Sequence, residues 1–228
     1  MKKEIKVIAH IETDFKTKFG VPRQSGLVYL EALIVFEPEY RNDAALRGIE
    51  QFSHLWLIWN FSKAEREEWS PTVRPPRLGG NKRVGVFATR SPFRPNSLGL
   101  SCVKLDSIEY TENEGPVLHI SGADLLDKTP IFDIKPYIPY ADAKPDAIDG
   151  FLSSAPRKYL EVAFDDSSKE NIDPSLLESI IEIVSEDPRP AYQNTPDRIY
   201  KMSFSGYEIE FSVKDDTAHI SRIYKEKK

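Results

Sequence analysis

The first 140 residues are divided into short apolar runs by turn residues, and this division constrains the fold more than any other feature. Runs of this length, rich in Val, Ile, Leu and aromatic residues, are typical of strands. No long amphipathic helix lies between them to carry a parallel crossover, so we predict a mainly β fold with a largely antiparallel sheet or barrel. The runs occupy residues 4–11, 26–36, 54–61, 83–88, 98–108, 117–123 and 129–134.

Two of these segments carry further expectations. Residues 54–61 form an almost continuous apolar run with two tryptophans, so we expect a strand that is buried on both faces. Residues 42–47 are the one stretch in this half of the chain that resembles a helix, and it is short.

A change of composition near Lys144-Pro145-Asp146 predicts two domains, 1–144 and 145–228. In the second, Asp173-Pro174 resembles an N-cap followed by proline at the first helical position, and the apolar residues after it share one helical face. Strand-like runs occupy 158–164, 200–204, 207–213 and 218–224. We therefore expect a small α+β C-terminal domain.

The single cysteine, Cys102, limits both the chemistry and the compartment. One cysteine excludes an internal disulfide framework and a CxxC zinc site, and we expect no metal centre. A reducing cytoplasm is the compartment that such a chain suits. The longest apolar run has seven residues, whereas a membrane span requires about 20, so we expect no membrane association.

Positive charge is concentrated in one segment of an acidic chain. Residues 70–105 contain seven Lys and Arg and no Asp or Glu, so the other residues together carry −12 to give the net charge of −5. A local cationic patch on an acidic protein favours a specific anionic ligand over a general nucleic-acid coat. The alternative is chance clustering on a solvated face.

Common cofactor and catalytic motifs are missing. The sequence contains no GxGxxG or GxxxxGK phosphate loop, no HExxH helix and no GxSxG turn. What remains are irregular segments that combine Pro and Gly with charged residues, at 21–26, 73–96 and 121–137. Each is interpretable either as a binding loop or as an ordinary polar connection.

The motifs in these segments together resemble a known family. FSHLW at 52–56, VRPPRLGGN at 73–81, GVFATRSPFRPN at 85–96 and DLLDKTPIFDIKPY at 124–137 closely resemble the TrmO (YaeB, TsaA-like) family, and residues 187–192, DPRPAY, resemble its bacterial members. The resemblance implies an S-adenosylmethionine-dependent tRNA methyltransferase built on a single-sheeted antiparallel β-barrel. It also implies a homodimer that methylates N6 of N6-threonylcarbamoyladenosine beside the tRNA anticodon.

The resemblance also implies a set of cofactor-binding residues, assigned by matching each motif. They come from the early loop, the end of the buried strand, the arginine-rich segment and the segment after residue 124. The set is Pro22, Arg23, Gln24, Ser62, Lys63, Arg90, Leu100, Leu126, Asp127, Lys128 and Thr129.

Catalysis and tRNA binding have their own candidates. We expect Asp133 to act as the base and Tyr137 to orient it, with His54 as the alternative base. Contacts to the threonine carboxylate and the tRNA phosphates are expected from Arg74, Arg77, Lys82, Arg83, Arg94, Asn96, Arg189 and Tyr192. Two other functions remain open, a non-catalytic module that binds S-adenosylmethionine or RNA, and a hydrolase of a small phosphorylated ligand.

Overall fold

The computed structural model of the protein describes residues 4–64, 66–154, 157–169, 172–190, 195 and 198–226, and within them it is mainly β, as predicted. The strands are β1 (Ala9–Glu12), β2 (Glu31–Phe36), β3 (His54–Asn60), β4 (Thr72–Val73), β5 (Val84–Gly85), β6 (Leu98–Thr111), β7 (Gly115–Ser121), β8 (Pro130–Pro136), β9 (Glu161–Phe164), β10 (Tyr200–Phe204), β11 (Tyr207–Lys214) and β12 (Thr217–Lys225). The α-helices are α1 (Asp43–Leu46), α2 (Pro139–Asp142) and α3 (Pro174–Ser185). Short 3-10 helices occupy Pro38–Tyr40, Ile49–Gln51, Pro76–Leu78, Val86–Ala88, Gly150–Ser154 and Asp166–Lys169.

Six strands of the N-terminal part pair in a closed ring, in the order β1-β2-β7-β6-β3-β8. Every pairing in this ring is antiparallel, and β1 closes it by pairing Ala9 with Ile131 of β8. Closure leaves no sheet edge exposed along these strands. The strands β4 and β5 form a separate two-stranded ribbon in the arginine-rich segment.

The interior of the ring is filled by alternate residues of each strand. On β3, Leu55, Leu57 and Trp59 point inward and are buried, whereas Trp56 and Ile58 face outward and are only partly covered. The expectation that residues 54–61 are buried on both faces is therefore wrong. A closed antiparallel sheet buries only its inner face, and here the outer apolar residues remain near the surface.

The C-terminal part has a sheet of its own, in the order β10-β11-β12-β9, with α3 packed on it. The helix begins as predicted, because the Asp173 side chain accepts hydrogen bonds from the backbone N–H groups of Ser175 and Leu176. The hairpin of β10 and β11 is also confirmed. The strand β9 pairs with β12 in parallel.

The connection between β1 and β2 links the two cores. Phe15 and Val28 of this connection are buried among the residues of the C-terminal sheet and α3, and not inside the closed ring. The loop at 21–26 therefore extends from a segment that packs on the C-terminal part. None of the helices in the described ranges combines the length and the apolar character needed to cross a lipid bilayer.

Candidate functional site

A cavity of about 470 Å³ opens where β3 ends and β6 begins. This volume falls within the range of small-molecule sites in proteins. Loops from distant parts of the sequence complete its walls. The lining residues are Lys18, Val21, Pro22, Arg23, Gln24, Trp59, Asn60, Phe61, Ser62, Lys63, Ala64, Thr89, Arg90, Arg94, Leu98, Gly99, Leu100, Asp124, Leu126 and Thr129.

The apolar wall of the cavity is built around Trp59. Its ring lies against Gly99, the residue paired with it on β6, and a Cβ atom at position 99 would come within 2.2 Å of the indole. Glycine is therefore required opposite Trp59. Phe61 packs beside the indole, with 4.2 Å between the ring centroids.

Hydrogen bonds to β6 and to the residue after β7 hold the loop 21–26 against the closed ring. The N–H of Gly26 donates to the carbonyl oxygen of Gly122 at 2.9 Å, and the N–H of Cys102 donates to Ser25 Oγ at 3.1 Å. On the cavity side, Arg90 Nη1 donates to Gln24 Oε1 at 2.5 Å. The predicted cofactor residues Gln24 and Arg90 are therefore in direct contact.

Arg23 ties the same loop to the C-terminal part. Its Nη2 donates to the carbonyl oxygens of Asp187 and Arg189, at 3.0 and 2.7 Å. Arg189 in turn donates through Nε and Nη2 to the two carboxylate oxygens of Asp187, and only 11% of its side chain is exposed. Arg189 therefore stabilises the turn that accepts the hydrogen bonds of Arg23, and the tRNA contact expected of Arg189 stays a prediction.

A chain of hydrogen bonds connects the apolar wall to Asp124. Trp59 Nε1 donates to Ser101 Oγ at 2.9 Å, and Ser101 Oγ donates to Asp124 Oδ1 at 2.5 Å. Burial raises the pKa of the Asp124 carboxyl above its usual value of about 4, although the Ser101 hydrogen bond and the charge of Arg90 act in the opposite direction. The cavity thus contains a carboxyl group that gains a proton more readily than an exposed Asp does.

Most of the predicted cofactor residues meet in this cavity. Asp127 and Lys128 do not line it, because Asp127 forms an ion pair with Lys16 at 2.8 Å and Lys128 pairs with Glu12. These pairs anchor the turn that carries Leu126 and Thr129. The predicted residues that do line the cavity are Pro22, Arg23, Gln24, Ser62, Lys63, Arg90, Leu100, Leu126 and Thr129.

The predicted catalytic residues lie elsewhere. Asp133 faces outward on β8, next to Ile58 in the register, and forms an ion pair with Lys135 at 2.8 Å. The Tyr137 ring packs near those of Trp56 and His54, with centroid distances of 5.8 and 6.3 Å. None of Asp133, Tyr137 and His54 lines the cavity, so within one chain they do not join the predicted cofactor residues.

The predicted tRNA contacts lie mainly at the cavity rim and beyond it. Arg94 lines the cavity and donates through Nη1 to the carbonyl oxygen of Thr89 at 2.8 Å. Two exposed aromatic side chains lie in or next to the segment 70–105. The rings of Trp69 and Phe87 stack, with 6.2 Å between their centroids. On the same segment, Arg74, Lys82, Arg83 and Asn96 are exposed and Arg77 is partly buried. The predicted contact Tyr192 lies outside the described residues.

A model of the tRNA-methyltransferase O N-terminal domain matches residues 10–143, and a model of the TrmO C-terminal domain matches residues 158–226. The chain belongs to the tRNA-methyltransferase O family. These matches confirm the resemblance that the motifs at 52–56, 73–96 and 124–137 indicate.

Curated relatives and solved structures of the family are similar over most of their length. A tRNA (adenine(37)-N6)-methyltransferase from Eikenella corrodens is 49% identical over 174 residues, covering 75% of this chain and 97% of the relative. A candidate S-adenosylmethionine-dependent methyltransferase from Pseudomonas aeruginosa is 39% identical over 209 residues, covering 88% of each chain. A crystal structure of TrmO from Pseudomonas aeruginosa superposes with a TM-score of 0.79 at 30% identity, covering 98% of this chain and 100% of the other.

Sequence reasoning missed the hydrogen-bonded group formed by Trp59, Ser101 and Asp124. Trp59 and Ser101 belong to β3 and β6, and within an apolar strand pattern nothing distinguishes them from core residues. Asp124 begins the family motif at 124–137 and follows a buried strand in the sequence. This position after a buried strand was the signal that could have identified Asp124 as a site residue.

The anchoring of the loop 21–26 by Arg23 is testable. Replacing Arg23 with Ala removes the two hydrogen bonds to the carbonyl oxygens of Asp187 and Arg189. We expect faster amide hydrogen exchange across residues 21–26, measured by mass spectrometry, with a loss of no more than about 1 kcal/mol in global stability because Arg23 is exposed. Arg47→Ala, at an exposed arginine after α1, is the control, and unchanged exchange at 21–26 would contradict this anchoring.

Proposed function

We propose that this protein transfers the methyl group of S-adenosylmethionine to N6 of adenosine 37 in tRNA, with N6-threonylcarbamoyladenosine as the target nucleoside. The observation that carries the proposal is the meeting of three distant segments in one cavity. Residues 22–24, residues 62–63 and the pair Leu126 and Thr129 contribute to its walls together with Arg90 and Leu100, and all of these are positions that the family resemblance implies for the cofactor.

The cavity has groups that complement the adenine, the methylene groups and the carboxylate of S-adenosylmethionine. Trp59, Phe61 and Leu126 offer apolar surface to the adenine and methylene groups. Arg90 and Lys63 complement a carboxylate. When bound, S-adenosylmethionine supplies a methyl group that is already activated by its attachment to a positively charged sulfur.

The task left to the protein is mainly one of placement. The loop 21–26 and the turn at 126–129 hold the walls of the cavity in position through the contacts of Arg23, Gln24 and Asp127. A group held in line with its reaction partner reacts far faster than one that meets it by diffusion. The catalytic roles expected for Asp133 and Tyr137 stay predictions.

The tRNA substrate is supported by the distribution of charge and aromatic rings. The acid-free segment 70–105 includes the exposed Arg74, Lys82 and Arg83 beside the stacked pair of Trp69 and Phe87. Arginine and lysine contact phosphates, and exposed rings stack on the unpaired bases of RNA loops. The same cations complement the carboxylate that a threonylcarbamoyl group adds to the base.

We infer two domains, a single-sheeted β-barrel domain at 1–144 and a small α+β C-terminal domain at 145–228. Two separate hydrophobic cores support this division, one inside the closed ring and one between α3 and the second sheet. The family models also divide the chain, at 10–143 and 158–226. The connection between β1 and β2 belongs to the first domain in sequence but packs on the second.

We also infer a homodimer that acts in the cytoplasm. The outer face of β3 and β6 presents Trp56 beside Cys102 and Ile58 beside Leu100, and Leu100 is 51% exposed. A second copy on this face would cover apolar surface next to the cavity and would bring Asp133 toward a neighbouring site. The single, unpaired cysteine suits a reducing compartment.

Label transfer tests the function. The protein is incubated with methyl-labelled S-adenosylmethionine and with tRNA that carries or lacks the threonylcarbamoyl group. We expect label only in the modified tRNA, because the carbamoyl group makes the N6 proton more acidic and adds a carboxylate for the cationic rim. Binding without transfer would instead favour a sensor module, and release of phosphate from a small ligand would favour a hydrolase.

Salt dependence tests the cationic segment. We expect the Michaelis constant for tRNA to rise steeply with salt, by several decades in the case of 6–10 phosphate contacts. Replacing Arg74 with Gln should reduce the slope of the logarithmic plot by about one. Lys214→Gln, at an exposed lysine that ends β11, is the control, and equal slopes for the two variants would count against the segment.

Replacing Ile58 with Glu tests the dimer. A charge at the centre of the outer face of β3 should shift the protein from dimer to monomer in sedimentation equilibrium, because an unpaired buried charge is costly. Ile148→Glu is the matched control, since Ile148 is 92% exposed and belongs to neither β3 nor β6. A wild-type protein that sediments as a monomer, or an Ile58→Glu variant that remains dimeric, would contradict the assignment of this face.

A further inference from the structure

Asp124 is the carboxyl group of the cavity, and the elements around it determine its position. Among the described residues that line the cavity it is the sole acidic side chain, and the other charged ones are the cations Lys18, Arg23, Lys63, Arg90 and Arg94. It follows β7 after Gly122 and Ala123, where the chain leaves the closed ring. It therefore lies on the connection that leaves β7, and backbone hydrogen bonds of Gly122 to Gly26 and Leu30 hold the start of that connection.

While Asp124 is ionised, the hydrogen-bond chain that leads to it runs in one direction. An indole N–H donates and never accepts, so the Ser101 oxygen must accept from Trp59 Nε1. Its hydroxyl proton is then directed to Asp124 Oδ1, at 2.5 Å. Trp59 is 5% exposed and Ser101 is fully buried, so water does not compete for these groups. The ionised carboxyl group is thus oriented by a buried hydroxyl donor.

The surroundings also make Asp124 a better proton acceptor than an ordinary carboxylate. Burial raises its pKa, and the Ser101 hydroxyl and the Arg90 charge limit the rise. A base accelerates a reaction most when its pKa approaches the working pH. By contrast, Asp133 faces outward and its carboxylate is paired with Lys135, so its basicity is not available to the cavity of the same chain.

We propose that Asp124 is the catalytic base, which accepts the N6 proton of the threonylcarbamoylated adenosine during methyl transfer. As N6 forms its bond to the methyl carbon, the carbon–sulfur bond breaks and leaves its electron pair on sulfur. The N6 proton passes to the Asp124 carboxylate, and water later removes it. This inference rests on the proposed function, and it assigns to Asp124 the role that sequence reasoning gave to Asp133.

The test compares three isosteric variants, Asp124→Asn, Asp133→Asn and Asp106→Asn. We expect Asp124→Asn to lower kcat by at least about 100-fold, the scale of a general base, and to leave the dissociation constant for S-adenosylmethionine unchanged. Asp106, which pairs with Lys104 on the exposed part of β6, is the control. A kcat near that of the wild type, a loss of cofactor affinity in Asp124→Asn, or a collapse confined to Asp133→Asn would overturn the assignment.

The pH dependence of kcat/KM separates a catalytic role of Asp124 from a purely structural one, because only a catalytic base determines the position of the acidic limb. Removing the Ser101 hydroxyl takes away a donor that stabilises the carboxylate, so Ser101→Ala should raise the pKa of Asp124. The acidic limb of kcat/KM, which reports the free enzyme, should then move to higher pH. An acidic limb at the wild-type position would contradict the proposal.

The protein without cofactor supplies an independent measurement. The 15N shift of the Trp59 indole should titrate with Asp124, because Ser101 connects the two groups. The midpoint should lie above the usual aspartate value of about 4, and the transition should disappear in Asp124→Asn. A transition that persists in that variant would overturn the assignment. Transfer by the unaltered protein is measured first, so a failure of the proposed function is seen before any variant is made.

Discussion

The candidate site depends on how the protein accommodates the indole of Trp59 at the end of the closed ring. The ring requires a residue without a side chain opposite it, which Gly99 supplies, and the N–H requires a buried acceptor, which Ser101 supplies. Both needs are met by positions two apart on β6, because alternate residues of a strand share one face of the sheet. The same side chain therefore closes the core, forms the cavity wall and orients Asp124.

The C-terminal part supports the site, although none of its described residues lines the cavity. Phe15 and Val28 are buried in its core, and Arg23 donates to the carbonyl oxygens of the turn at 187–189. A loop such as 21–26 has few ladder hydrogen bonds of its own, so its position depends on what holds its two ends. The described residues that line the cavity all lie within the first 130 positions. The position of one lining loop nevertheless depends on a turn about 160 residues further along the chain, which accepts the hydrogen bonds of Arg23.

Local signals predicted the elements that local interactions stabilise. The start of α3 was predictable because Asp173 caps it directly, and the hairpin of β10 and β11 was predictable from Ser205-Gly206 between two alternating runs. The burial pattern of β3 was not predictable from its sequence. Both faces of this strand carry apolar residues, and that pattern does not show that only one face packs into a core. Most of the cofactor residues predicted from the motifs line the cavity. The motifs did not indicate that the Arg189 side chain forms an ion pair with Asp187.

The sequence by itself determined the class of fold, the family and the segments from which the cavity is built, because turn residues, strand periodicity and dense motifs are properties of neighbouring residues. Only the tertiary structure decided which acidic side chain shares the cavity with the predicted cofactor residues. Asp124 and Asp133 are nine positions apart in one motif, and the pairing of β8 with β3 turns Asp133 outward while the end of β7 directs Asp124 inward. That difference arises from strand pairing across the closed sheet, and pairing between distant strands is not encoded in any short stretch of the chain.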